Sequence, residues 1–208
     1  MLHDAAALRS SFDHLGQQYI EFTRSLTEDA LALPGLGEWT VRELLGHAIR
    51  AFSTAAHYLD APATKDHRMR TPGEYYRGVL ASSPGIHADV AERGKQAGAA
   101  LGDDPGDVAG TVSTIVEAAR ARVAAADDDA DVNTFAGQIS LLSYLATRIV
   151  EGGVHLLDLQ RAVGRPVGLD PHSAQIVLLT LAETGDVTTL ILALAGRSQL
   201  PPGYNVLQ

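Results

Sequence analysis

From residue 4 onward, apolar residues return at three- and four-residue intervals almost without interruption. Ala7, Leu8, Phe12, Leu15, Tyr19, Ile20 and Phe22 mark a first helix over about 4–31, broken by Pro34, Gly35 and Gly37 in "LALPGLGEW". Thr40-Val41-Arg42-Glu43 has the form of a capping box, and Trp39 and Leu44 stand at the positions of a hydrophobic staple. A second helix is therefore predicted from Thr40 to about Asp60. Pro62 and Pro72 bracket a polar connection. A short helix follows from about Gly73 to Ala81. Ser83 before Pro84 then reads as a new N-cap with proline at the first helical position. That helix runs to about Leu101, and another covers about 106–126 after "GDDPGD". Asp127 to Asp131 form a polar turn with no EF-hand spacing behind it. A long helix over about 136–163 ends at Gly164 and Pro166; Pro171 opens one that reaches Thr184, and a last one reaches Ala195. Strand-like alternation is scarce, and there is no internal repeat. The pattern predicts an all-α protein: an up-and-down four-helix bundle over 1–168, with a short helical C-terminal extension over 169–208 packed on it.

Composition narrows the functions open to such a bundle. At 208 residues and 46% hydrophobic content, the chain can bury a sizeable core. Its net charge of −9 repels phosphate backbones, so nucleic acid is not an expected partner. No apolar run approaches the ~18 residues of a membrane span, and no basic-then-apolar leader opens the chain. The absence of cysteine excludes disulfides, a thiol nucleophile and thiolate ligands from the chain itself. A cytoplasmic setting is expected, with a homodimer left open.

The chemistry-bearing stretch is "RIVEGGVHLLDL", residues 148–159. Glu151 and His155 are one turn apart and share a helix face. Tyr144, Thr147, Arg148 and Asp158 extend that face into a polar stripe on an otherwise apolar helix. Burying such a stripe is unfavourable unless its members are paired or bind something. A carboxylate and an imidazole at this spacing can ligate one metal ion. His47, among Leu44, Leu45, Ala48 and Ile49, is the inward-facing candidate for a third ligand. It lies seven residues after Thr40, and His155 lies nine before Gly164. In antiparallel helices both would sit ~10–14 Å from the same end of the bundle. Taken singly, each has a plainer account: a core histidine bonded to a carbonyl, or a Glu151–Arg148 pair on a solvated face. Gly152 and Gly153 each cost ~1 kcal/mol in a helix relative to alanine, a cost tolerated where a ligand or another backbone must come close. His57 is too far along its helix to join the others, and His3, His14, His67, His87 and His172 read as surface residues.

Two blocks carry a family resemblance. "GEWTVRELLGHAIRAF" resembles a "GWTVRDLVAHL" signature, and "TRIVEGGVHLLDLQRAVGRP" resembles a "TRxxExxVHGxDLARALGRP" block. Both belong, in that order, to the mycothiol-dependent maleylpyruvate isomerase family within the DinB-like superfamily. The resemblance spans roughly residues 5–200 and implies a metal-binding bundle with His47, Glu151 and His155 as ligands. It implies zinc and an actinobacterial mycothiol or similar low-molecular-weight thiol as cosubstrate, while the Irving–Williams order would favour nickel or copper over zinc wherever they are available. A metal-held thiolate would attack a small-molecule electrophile. The isomerase itself carries a larger C-terminal α/β domain that supplies an arginine to the substrate carboxylates. Here 169–208 reads as helices. A thiol S-transferase or thiol-exchange enzyme is therefore expected rather than maleylpyruvate isomerisation. Arg148 and Asp158 are the catalytic candidates, with Arg148 and Arg42 placed to hold an anionic substrate or thiol group. Arg42, Gly152 and Gly153 are the cofactor-side candidates. A hydrolase using metal-bound water, with Asp158 or Glu43 as base, and a non-catalytic stress or regulatory bundle are the competing readings.

Overall fold

Asp4 opens the first helix by accepting from the Ala7 N–H at 2.7 Å, and α1 runs Ala5–Arg24. The structure is a computed structural model and describes residues 4–63, 66–82 and 86–207. The helix expected to reach residue 31 divides. Thr27 accepts from the Ala30 N–H at 3.2 Å and caps a separate α2, Glu28–Ala32. A hydroxyl that bonds the backbone locally in this way competes with helix continuation. The capping box at Thr40 is complete: its N–H donates to Glu43 Oε2 at 2.8 Å, and the Glu43 N–H donates to Thr40 Oγ1 at 3.3 Å. From it runs α3, Val41–Ala48. The expected single helix is interrupted at Ile49, and α4 follows as Arg50–Asp60.

The sheet was not anticipated. It comprises β1 (Arg68–Met69), β2 (Asp131–Thr134) and β3 (Gly137–Ser140), in the order β1-β3-β2. Strand β2 pairs antiparallel with β3, Val132 opposite Ile139, and β1 pairs parallel with β3, Met69 opposite Ile139. Residues 136–140 had been expected as helix. They turn back as a hairpin because Val132, Thr134, Ala136 and Ile139 all have interior to fill. Gly137 (φ 139°) permits the close pairing, since a Cβ there would stand 2.7 Å from the His67 carbonyl oxygen.

The remaining helices are α5 (Pro72–Ser82), α6 (Ile86–Ala99), α7 (Pro105–Ala124), α8 (Leu141–Ala162), α9 (Pro171–Thr184) and α10 (Val187–Leu194). Asp104 and Asp170 cap α7 and α9, each with proline in the first turn. The N-cap expected at Ser83 with Pro84, and His3, lie outside the described residues, as does the side chain of His87. The chain is mainly helical, and among the described residues no helix is long and apolar enough to cross a membrane.

Helices α1 and α4 each pack on both α7 and α8, so the four close a ring around Phe12, Tyr19, Phe52 and Tyr144. The Phe52 ring lies 5.1 Å from Phe12 and 5.4 Å from Tyr19. Helix α3 lies between α8 and α6, and α9 covers α8, α1 and α5. The α3–α6 contact is made backbone to backbone. A methyl group on Gly46 would collide with the main chain at Gly98, and one on Gly98 would stand 2.7 Å from Glu43 Cα. Gly94 faces the Trp39 ring in the same way, with only 2.5 Å left for a Cβ.

Gly98→Ala should therefore destabilise the protein by about 1–3 kcal/mol, because neither backbone can retreat cheaply. Gly110→Ala, on an open stretch of α7 with nothing within 4 Å, should stabilise it by about 0.5–1 kcal/mol. Urea unfolding of the two variants separates these outcomes. Equal effects would mean that α6 is not held against α3 at this contact.

Candidate metal centre

The last turn of α3 presents His47, and the middle of α8 presents Glu151 and His155 one turn apart. The two imidazoles meet edge to face, centroids 4.9 Å apart and planes at 81°. One donor atom from each of His47, Glu151 and His155 can be chosen so that all lie within 4.8 Å of one another. A tetrahedral ion needs its donors somewhat closer than this, so side-chain shifts of about an ångström would complete the cluster. Trp39 packs against the outer face of His47 at 4.8 Å.

Among the described residues, no hydrogen bond satisfies these side-chain donors. Among the described residues, Glu151 makes no hydrogen bond or ion pair. His155 Nδ1 is buried without a hydrogen bond, its nearest acidic neighbour being Asp158 Oδ2 at 3.4 Å. The pKa of His47 is held down to about 3, first by burial and then by the positive fields of His155, Arg50, Arg93 and Arg148. His47 is therefore a neutral imidazole at physiological pH, with a free lone pair. A neutral imidazole, a second imidazole and an unpaired carboxylate suit a divalent cation, and the three could hold one.

The cluster forms one wall of a cavity of about 240 Å³. Arg148 and Tyr144 of the polar stripe line the same cavity, so five of the chemistry-bearing residues singled out from sequence share it. The others lie elsewhere. Asp158 sits behind His155, its second oxygen 3.5 Å from Arg161 Nη1. Arg42 donates to the Asp103 carbonyl at 2.7 Å on the first turn of α3. Gly152 faces α1, where a Cβ would come within 2.9 Å of Leu15, and Gly153 faces Val177 of α9 at 3.0 Å. Both glycines are close-packing positions outside the lining of this cavity, in line with the close-approach reading of their cost in a helix. His14, His57, His67 and His172 are exposed, as expected.

Sequence reasoning missed Arg50, Thr54, Tyr58, Tyr75, Arg93 and Phe135, which also line the cavity. Arg50 carried a usable signal, being three residues beyond His47 and so on its face. Tyr75 and Phe135 carried none, since α5 and the β2–β3 turn are brought to the cavity by strand pairing. Burial raises the pKa of Tyr75, Tyr76 and Tyr144, so all three are neutral phenols at physiological pH.

Against known proteins, the chain matches one family model, described as the mycothiol maleylpyruvate isomerase N-terminal domain, over residues 12–160. That span contains all three metal-type donors. No curated protein and no solved structure matches the chain.

The low His47 pKa has a consequence for metal-free protein. Unfolded, His47 takes up a proton as pH falls below its ordinary value of 6.5; folded, it does so only near 3. The unfolded state thus binds more protons across that window, and stability falls as pH falls. Metal-free wild type should lose stability relative to His47→Gln between pH 6.5 and about 3, read by urea unfolding at stepped pH. Identical pH slopes would show that the folded protein protonates this imidazole readily.

Proposed function

We propose, for a chain that belongs to the mycothiol maleylpyruvate isomerase N-terminal domain family, that it is a metal-dependent enzyme of thiol transfer. In this reading a low-molecular-weight thiol of the mycothiol type attacks a small electrophile, as an S-transferase or thiol-exchange reaction. The observation that carries it is the unpaired donor set His47, Glu151 and His155 on the wall of a cavity. A divalent cation bound there, zinc by its donor set or nickel where available, would hold the thiol sulfur as thiolate at neutral pH.

The chain's own groups divide the remaining work. His47 is kept unprotonated by burial and by its positive neighbours. Asp158 faces His155 Nδ1, which would keep the proton on that nitrogen and leave Nε2 for the ion. Asp158 then acts as a positioning residue rather than as a base at the electrophile. Arg148 faces the cavity beside the donors. Arg42, Gly152 and Gly153 contribute through the seating of α3 and α8, not through contact with the thiol. We read the ring of α1, α4, α7 and α8 as a four-helix bundle, within a unit of residues 1–168 that carries 169–208 as a packed extension. Hydrolysis by water is the weaker reading. It needs a base at the cavity, and the Glu43 carboxylate is engaged by the Thr40 N–H in the capping box.

Alanine at His47, Glu151 or His155 should reduce bound metal from about one ion per chain to a small fraction of that. His57→Ala should leave it unchanged. Full occupancy in the His47→Ala protein would break the proposed triad. With cobalt(II) in the site, mycothiol should produce a saturable sulfur-to-cobalt charge-transfer band that the corresponding alcohol does not. No new band at saturating thiol, across several biological thiols, would argue against direct ligation.

A further inference from the structure

Arg148 is the feature of the cavity that the metal donors leave unexplained. It is 8% exposed and is the one formally charged side chain that is buried among the described residues. A guanidinium has five N–H donors. Here Nε donates to Thr147 Oγ1 at 3.1 Å, while Nη1 reaches Thr54 Oγ1 and Nη2 reaches the Tyr75 hydroxyl only at 3.5 Å. The Tyr144 ring, 4.6 Å from Cζ, and the Tyr75 ring, at 5.5 Å, provide π-faces. No carboxylate of the described residues lies within 4.0 Å of it. Three more exposed arginines, Arg9, Arg120 and Arg122, each hold an aspartate at 2.8 Å or less.

A buried charge without a counter-charge is strongly unfavourable, and a π-face recovers only part of the loss. The cavity as a whole has the same imbalance. Among the described residues, Arg50, Arg93 and Arg148 line it against the single carboxylate of Glu151, in a protein whose net charge is −9. A positive concavity on an acidic protein concentrates anions locally. Its other walls, from Tyr58, Phe135 and Tyr144, are broad rings suited to a flat apolar body.

We propose that Arg148, with Thr54 and Tyr75, forms an anion subsite, and that the electrophile is a small carboxylate with a flat apolar body whose carboxylate is held there. The assignment of this anion to the electrophile rests on the thiol-transfer reading; the subsite itself does not need the metal. Seated on Arg148, the carboxylate would leave the body of the molecule extending through the same cavity toward the His47–Glu151–His155 wall. The two long contacts from Thr54 and Tyr75 show where guanidinium N–H groups remain available for a planar, two-oxygen acceptor.

Calorimetric titration of metal-free and metal-loaded protein with benzoate and with benzamide tests this. Benzoate should bind both forms, and neutral benzamide should bind at least roughly tenfold more weakly. Arg148→Gln should lose a similar factor for benzoate. Should that variant not fold, the Arg148 Nε–H resonance of the wild-type protein gives the same information and should shift on benzoate addition. Equal binding of benzoate and benzamide, or an unmoved Arg148 resonance, overturns the subsite. Displacement of benzoate by mycothiol would give the subsite to the thiol and overturn the assignment to the electrophile. Benzoate binding to metal-free protein would stand even if the thiol-transfer reading failed, so the two failures are distinguishable.

Discussion

The close approach of α1 to α8 at Gly152 fixes the frame on which the candidate site is built. Leu15 sits where a Cβ of residue 152 would have to go, and the buried Tyr19 hydroxyl donates to the Gly152 carbonyl at 2.7 Å. On another side of the same turn, Gly153 lets Val177 and Leu169 press against the helix backbone. Helix α8 is thus gripped on two sides within two residues of Glu151. Its remaining face, carrying Glu151 and His155, is held toward α3. An apolar helix accepts an acid, an imidazole and two glycines in so short a space because the glycines hold the helix and the polar pair uses the face left free.

The opposing half of the donor set is held by a second backbone contact. Gly46 and Gly98 bring α3 against α6, and Gly94 leaves room for the Trp39 ring that backs His47. The capping box fixes where α3 begins, and hence how far along it His47 falls. The break at Ile49 then starts α4 with Arg50, which joins His47 at the cavity. The positive groups this gathers do two things at once. They add to burial in keeping His47 unprotonated, and among the described residues they leave the cavity short of negative charge.

What could be read from sequence follows the range of the interactions. The pairing of Glu151 with His155 is an i,i+4 relation within one helix, and the capping box lies within four residues; both were legible. The level of His47 against His155 needed only helix rise and an antiparallel assumption. The glycines were noticed for close approach, and the groups that approach them in the fold are Leu15 and Val177. That could not be told without knowing which faces of α8 meet α1 and α9. The breaks after Arg24 and at Ile49 were missed because apolar periodicity runs straight through them. The hairpin at 131–140 was missed because its alternation is short and directly adjoins a strongly apolar helix.

The missed elements matter for function because they build a different part of the site. The donors come from α3 and α8, whose geometry is local and helical. The cavity wall opposite comes from Tyr75 on α5 and Phe135 in the β2–β3 turn. Their positions depend on Met69 pairing with Ile139 across 70 residues of chain, which ties the connection before α5 to the strand before α8. Substitutions in 66–82 or 131–140 would therefore reshape the wall that meets the substrate body without moving His47, Glu151 or His155. A scaffold so divided can keep one set of donors while its cavity wall changes. On this chain the division falls at Arg148, which stands on the donor helix but whose contacts reach across to Thr54 and Tyr75. The anion subsite is thus the point where the rigid chemistry of α8 meets the adjustable wall, and any change in the register of β1 on β3 would be felt there first.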